Sequence, residues 1–275
     1  MQELLLYAVL AFAAVAALVP VAAFLAVKTG FIDQPGGRKK HEKAVPPIGG
    51  LVIFPVFFLL SAIAGISPAE GWFLAALALL VIGGAIDDKS HIPARIKLVL
   101  QVVAAVLIVF PGQTAVYYMG DLAGFGAFGL GIFGPLLTVL AIVLLINAIN
   151  LVDGIDGLAG GLGLVVLVWM IYACLAVAGG GGDVLMLAAL AGALAGFLLY
   201  NIRHPFRHKA SVFLGDAGSM ALGLALAWFS IRLSQHPTII IEPIAVAWLL
   251  AIPIFDTCGQ FARRLRLGRH PFSPD

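Results

Sequence analysis

Charge is what this sequence has least of. Only 11% of its 275 residues are Asp, Glu, Lys or Arg and 62% are hydrophobic, whereas a soluble domain carries roughly a quarter charged residues. A water-soluble globular fold is therefore excluded. Cysteine is almost missing too. Cys174 and Cys258 lie in separate apolar runs, without the spacing of a disulfide framework or a metal knuckle, and read as small apolar residues. The net charge of +2 is too small for a nucleic-acid surface. A positive n-region is also lacking: Gln2 and Glu3 precede the first apolar run, so that run is expected to persist as a helix and not as a cleaved leader. No inverted internal repeat of the transporter type is visible.

What is present is a succession of apolar runs of about 17 to 24 residues, near the roughly 20 that a helix needs to cross the hydrocarbon core. The expectation is an all-α polytopic integral membrane helix bundle, one domain over residues 1–275, with about nine transmembrane helices: 4–27, 49–66, 72–86, 96–110, 130–149, 158–178, 184–201, 217–231 and 243–262. Helices are required because lipid offers no partner for open backbone. Threading these spans alternately places fifteen of the sixteen Lys and Arg residues on one face and leaves only Arg232 opposite. By the positive-inside rule that face is cytoplasmic and the N-terminus is outside. The connection 111–129 is the one long outer loop, and its segment 114–119 is suited to a small strand or hairpin.

Carboxylates are not needed for orientation, yet Asp87, Asp88, Asp153, Asp156 and Asp216 gather at the basic ends of three spans. Asp87 and Asp88 close an apolar run, where two like charges and the helix dipole both disfavour ionisation unless a cation or proton is shared. The alternative is a pair of solvent-facing residues marking the span's end. Asn147, Asn150, Asp153 and Asp156 recur at a spacing of three, which would align four oxygen-bearing side chains along one stripe if the helix continued. That spacing does not fit a calcium loop, which takes alternate ligands and a distal glutamate; the plainer reading is a polar cap with loop glycines. Asp216 sits between Gly215 and Ala217-Gly218 before the eighth span, where it could also be a helix cap. Hard Mg2+ favours a few carboxylates together with substrate phosphate oxygens. Beside the basic residues Arg38, Lys39, Lys40, His41 and Lys43, and again Arg203, Arg207 and His208, the pattern points to phosphoryl chemistry. Asp256, about a turn and a half inside the ninth span, is expected to face a cavity because a charge there is costly.

Taken together, Asp33 to His41, Pro46 to Gly50, Asp87-Asp88, Asn147 to Leu158, Phe213 to Ser219 and Arg263 to Asp275 resemble the polyprenyl-phosphate N-acetylhexosamine 1-phosphate transferases, glycosyltransferase family 4. The pattern is nearer to the WecA-type undecaprenyl-phosphate GlcNAc-1-phosphate transferases than to the MraY type. The resemblance implies transfer of N-acetylhexosamine 1-phosphate, GlcNAc 1-phosphate by default, from a UDP-sugar to undecaprenyl or another polyprenyl phosphate. UMP would be released and a lipid-linked envelope polysaccharide such as O-antigen begun. It implies Asp87, Asp88, Asp153 and Asp156 as catalytic residues, and Mg2+, with Mn2+ as substitute, on Asp216 and Asp153. The substrate-binding candidates are Arg38, Lys39, His41, Lys43, Asn147, Asn150, Asn201 and Phe213, the last stacking on uracil. The expected partners are the UDP-N-acetylhexosamine, the polyprenyl phosphate, the bilayer of the inner membrane and, as an open alternative, a second copy in a homodimer; nucleic acid is not among them. The family pattern continues past Asp275 with a His-rich loop and further helices, so the chain is expected to lack that part. The competing readings are a phospho-MurNAc-pentapeptide transferase, a non-catalytic homologue, and a cation-coupled transporter, whose carboxylates should reach the midplane.

Overall fold

The computed structural model describes residues 1–33, 44–121, 124, 126, 128–177, 182–203, 209–235 and 237–268. Its helices are α1 (Gln2–Thr29), α2 (Gly49–Ala64), α3 (Pro68–Ser90), α4 (Ala94–Val109), α5 (Gly134–Val152), α6 (Leu158–Val177), α7 (Gly182–Asn201), α8 (Gly215–Ser234), α9 (Pro243–Leu249) and α10 (Ala251–Arg266), with a 3-10 turn at Gly131–Phe133. All nine expected spans are helical, but not all are long enough to cross. Among the described residues, six helices (α1, α3, α5, α6, α7 and α8) have the length and apolarity of a membrane span, or seven if α9 and α10 count as one. That makes the chain a multi-pass α-helical membrane protein. Helices α2 and α4 have 16 residues each, about 24 Å at 1.5 Å per residue, against a hydrocarbon core of roughly 30 Å. The ninth run is broken at Leu250, where α9 and α10 meet at 69°.

Helix α8 is the axis of the bundle. It packs against α2, α3, α5 and α6, and almost every one of its residues is buried. Its Gly, Ala and Ser content lets neighbouring backbones come close, as small residues do between membrane helices. A Cβ placed on Gly84 of α3 would lie 2.4 Å from Ala217 Cα, so α3 reaches the first turn of α8 only because residue 84 has no side chain. Helix α1, in contrast, exposes most of its surface and packs mainly along α7. The two run parallel: Gly192 faces Ala8, and the Tyr200 hydroxyl, two turns on, donates to the Ala16 carbonyl at 2.8 Å. The N-terminus therefore lies at the start of α7, opposite the end that carries Asn201.

That opposite end is closed by side chains. Ser67 and Glu70 cap α3 reciprocally, the Ser67 N–H donating to Glu70 Oε2 at 2.5 Å and the Glu70 N–H to Ser67 Oγ at 3.4 Å, with Pro68 starting the helix. Arg232 at the end of α8 donates to both carboxylate oxygens of Asp183 on α7, at 3.0 and 3.1 Å, and lies 3.9 Å from Glu70. Its guanidinium carbon stands 5.3 Å from the Trp228 ring, which stacks on Phe73 at 4.1 Å. In the outer loop, Tyr118 and Gly129 form an antiparallel bridge, the short pairing expected there. The Gln235 side chain ties it to α8 by accepting from the Tyr117 and Tyr118 N–H groups, each at 3.0 Å.

Candidate active site

The other end opens into a polar cavity of about 1040 Å³, walled by the ends of α3, α5 and α7 and the starts of α4 and α8. Asp87 and Asp88 occupy the last turn of α3, which stops at His91 in a left-handed conformation, φ 51°. Asp87 Oδ1 accepts from the Ile92 N–H at 2.7 Å, holding the chain as it leaves the helix. Asp88 reaches across to α8, its two oxygens accepting from the backbone N–H groups of Asp216 at 2.8 Å and Ala217 at 3.1 Å. A carboxylate at that position satisfies orphan donors and meets the positive end of the helix dipole. Gly215 makes this possible: it has φ +78°, and a Cβ there would lie 2.7 Å from Asp88 Oδ2. Asp216 is thus not the cap of its own helix; Asp88 is, from 128 residues away.

With α8 capped by another residue, the Asp216 carboxylate is turned toward the cavity. Its Oδ1 accepts from Asn150 Nδ2 at 2.5 Å, and Asn150 also donates to Ser219 Oγ at 2.8 Å. Its Oδ2 lies 3.2 Å from the Lys97 ammonium, which also pairs with Asp87 Oδ2. The predicted four-residue stripe is only half helical. Asn147 and Asn150 lie on α5, but the helix ends at Val152, Asp153 is its C-cap, and Asp156 stands in the following turn. Asp153 is half-buried on the cavity wall. Burial, and then the negative charges of Asp216, Asp88 and Asp156, hold its carboxyl pKa well above the usual carboxylate range. Asp156 accepts from Arg203 Nε at 2.8 Å and from the Ala210 N–H at 3.2 Å. Asn201 is buried and accepts from the Gly157 N–H at 2.8 Å while donating to the Val212 carbonyl at 2.9 Å. Although it lines the cavity, both ends of its amide fasten the 153–157 turn to the segment before α8. Phe213 lies on the wall, fixed by its N–H to Pro46 O and its carbonyl to Gly49 N, each at 3.0 Å.

Of the sequence candidates, Asp87, Asp88, Asn150, Asp153, Asp156, Asn201, Phe213 and Asp216 thus meet at one cavity. Asn147 does not: it lies a turn deeper on α5, donating to Gln101 Oε1 at 2.6 Å and to Val143 O at 2.8 Å. Asp256 does not face a cavity either; it is exposed and accepts from Gln260 at 2.7 Å. Arg38, Lys39, His41 and Lys43 lie outside the described residues, as do Arg207 and His208. The flanking residues Asp33 and Val45 pair with each other and line the cavity. Sequence reasoning used Lys97 only as a topology marker. Its place at the start of the run 96–110, beside Arg95, is where topology alone would put a basic residue.

The donor set is that of a hard cation: carboxylates and an amide oxygen, without sulfur. Among the described residues, no three His, Cys, Asp or Glu side chains stand as a ready-made metal site. A positive charge does hold the central place, in the form of the Lys97 ammonium between Asp87 and Asp216, so these carboxylates fit a cation. A second cavity, of about 390 Å³, lies between α5, α8 and α9 and is lined by apolar and hydroxyl side chains without any ionisable group.

Comparison with known proteins agrees with this arrangement. The model of the family "Glycosyl transferase family 4" matches residues 71–234, a stretch from α3 through α8 that includes Asp87, Asp88, Asp153, Asp156 and Asp216. The undecaprenyl-phosphate alpha-N-acetylglucosaminyl 1-phosphate transferase of Escherichia coli (strain K12) is 33% identical over 252 residues, covering 91% of this chain and 68% of its own length. The protein of the same name from Salmonella typhi gives the same identity and coverage. That of Pasteurella multocida (strain Pm70) is 36% identical over 258 residues, with 91% and 70% covered. With the family model spanning more than half of it and relatives matched along most of their length, the chain belongs to glycosyl transferase family 4.

Proposed function

We propose that this protein is a phosphoglycosyl transferase of the inner membrane that moves N-acetylhexosamine 1-phosphate, GlcNAc 1-phosphate first among them, from a UDP-sugar to undecaprenyl phosphate. The observation that carries the reading is the convergence of Asp87, Asp88, Asn150, Asp153 and Asp216 on a single large cavity at one end of the bundle. The relatives' shared name supplies the reaction, and the family resemblance of the motifs supplies the assignment of roles. By the charge asymmetry of the loops, this end is cytoplasmic and the N-terminus outside, where a nucleotide from the cytosol and a lipid head group at the interface both have access.

In this reading an acceptor phosphate oxygen attacks the phosphorus that carries the sugar, the bond to the uridylyl phosphate oxygen breaks, and UMP leaves. Positioning and charge neutralisation carry most of such a transfer. Asp87 would orient or deprotonate the acceptor; its oxygen on Lys97, unlike the one on the Ile92 N–H, is not tied to the backbone. Asp88 positions α8, Asn150 fixes the Asp216 carboxylate, and Phe213 offers a ring for the uracil. Mg2+ bound by Asp216 and Asp153 would neutralise the diphosphate. The 390 Å³ apolar cavity has the chemistry to shelter part of the prenyl chain. The test is reconstitution in lipid with UDP-GlcNAc, undecaprenyl phosphate and Mg2+, following UMP release, then a panel of other UDP-sugars. UMP formation that requires both the lipid and the divalent ion is expected. Its absence with every UDP-sugar, or its persistence in Asp216→Asn, would overturn the assignment.

A further inference from the structure

Lys97 has no role in that reading beyond holding one oxygen of Asp87. It stands in the first turn of α4, and its ammonium is the one cation within ion-pair distance of Asp87 or Asp216 among the described residues. Each carboxylate gives one oxygen to a neutral donor, Asp87 to the Ile92 N–H and Asp216 to the Asn150 amide, and the other to Lys97. Asp88, meanwhile, spends both oxygens on the backbone of α8. Asp216 thus has no oxygen without a partner in this arrangement. A divalent ion entering its shell would meet these partners, and the ammonium, on a flexible four-carbon stem, is the one it would repel.

We propose that Lys97 is a built-in counter-ion: it holds Asp87 and Asp216 together in the metal-free protein and is displaced when a divalent cation binds. This rests on the reading that the site binds such a cation. Lys97 is a positioning residue here, acting through the two carboxylates, and its effect falls on cation affinity before any substrate is present. The ammonium makes the cation-free site tolerable, because Asp87 and Asp216, which both approach it, would otherwise repel each other. The same ammonium weakens metal binding, since the incoming ion must first expel a like charge.

The experiment uses purified full-length chain in lipid nanodiscs, without substrates, titrated with Mn2+ and read by electron paramagnetic resonance of the free ion. Lys97→Met is expected to bind Mn2+ about tenfold more tightly than wild type, and Lys97→Arg, which keeps the charge, to stay within about threefold. Equal or weaker binding in Lys97→Met overturns the counter-ion role. If wild type still binds Mn2+ and Asp216→Asn does not, the functional reading survives that failure; if no form binds Mn2+, both fall. A second measurement on wild type guards against a poorly folded variant. Acylation of the Lys97 amine, read by peptide mass spectrometry, should rise severalfold on adding Mg2+, and an unchanged or lower reactivity rejects displacement.

Discussion

The two ends of the bundle each join one cation to two carboxylates, to opposite effect. At one end Arg232 faces Asp183 and Glu70; at the other Lys97 faces Asp87 and Asp216. The first trio is self-contained: Arg232 donates twice to one carboxylate, its guanidinium lies on Trp228, and Glu70 is already used to cap α3. The second has further carboxyl groups around it, in Asp88 and Asp153, and opens on a cavity of about 1040 Å³. An ion cluster whose members are all engaged with one another and with the fold ties helices together. One with further carboxyl groups beside open space is built to receive something positive.

Substitutions at the two ends should therefore separate activity from stability. The largest effect is expected from Asp216→Asn, which keeps the Asn150 contact in shape but removes the charge. UMP release should drop by about 10²–10³-fold with thermal unfolding little changed. Asp88→Asn should cost less, about 10- to 100-fold, because the amide retains one acceptor for the start of α8; the loss should appear in turnover and not only in substrate KM. At the opposite end Arg232→Met should lower stability by about 1–3 kcal/mol by stranding Asp183, seen as an earlier melting transition in detergent, while turnover of the folded fraction stays within about threefold. Asn147→Ala, which breaks the link to Gln101 without touching the cavity, should be the mildest: interhelical hydrogen bonds in membranes are worth roughly 0.6 kcal/mol, and activity should fall no more than about twofold. A large loss of turnover in Arg232→Met, or a small one in Asp216→Asn, would erase the distinction between the ends.

Much of this was legible in the sequence because the membrane leaves few choices. Apolar runs had to be helices, and the basic loops had to share a face, so the gathering of Asp87, Asp88, Asp153 and Asp216 at one end followed before any coordinates. What could not be read was geometry that depends on chain ending or bending. The run at 243–262 has the composition of a single span, yet turns through 69° at Leu250. Spacing of three implied one stripe, but a turn at Gly154 and Gly157 takes Asp153 and Asp156 off the helix and leaves Asn147 behind. Lys97 and Asp216 are 119 residues apart, and no local pattern signals that they touch. Asp256, expected to face a cavity on insertion cost, is instead exposed beside Gln260, on the helix that follows the bend at Leu250.

The grip of Asp88 on α8 has one more implication. Because it grasps main-chain amides at 216 and 217 and no side chain, the joint does not depend on the side chain at 216. Scaffold and reagent are thereby uncoupled: residue 216 can be exchanged, by an experimenter or by evolution, without unseating the helix that presents it.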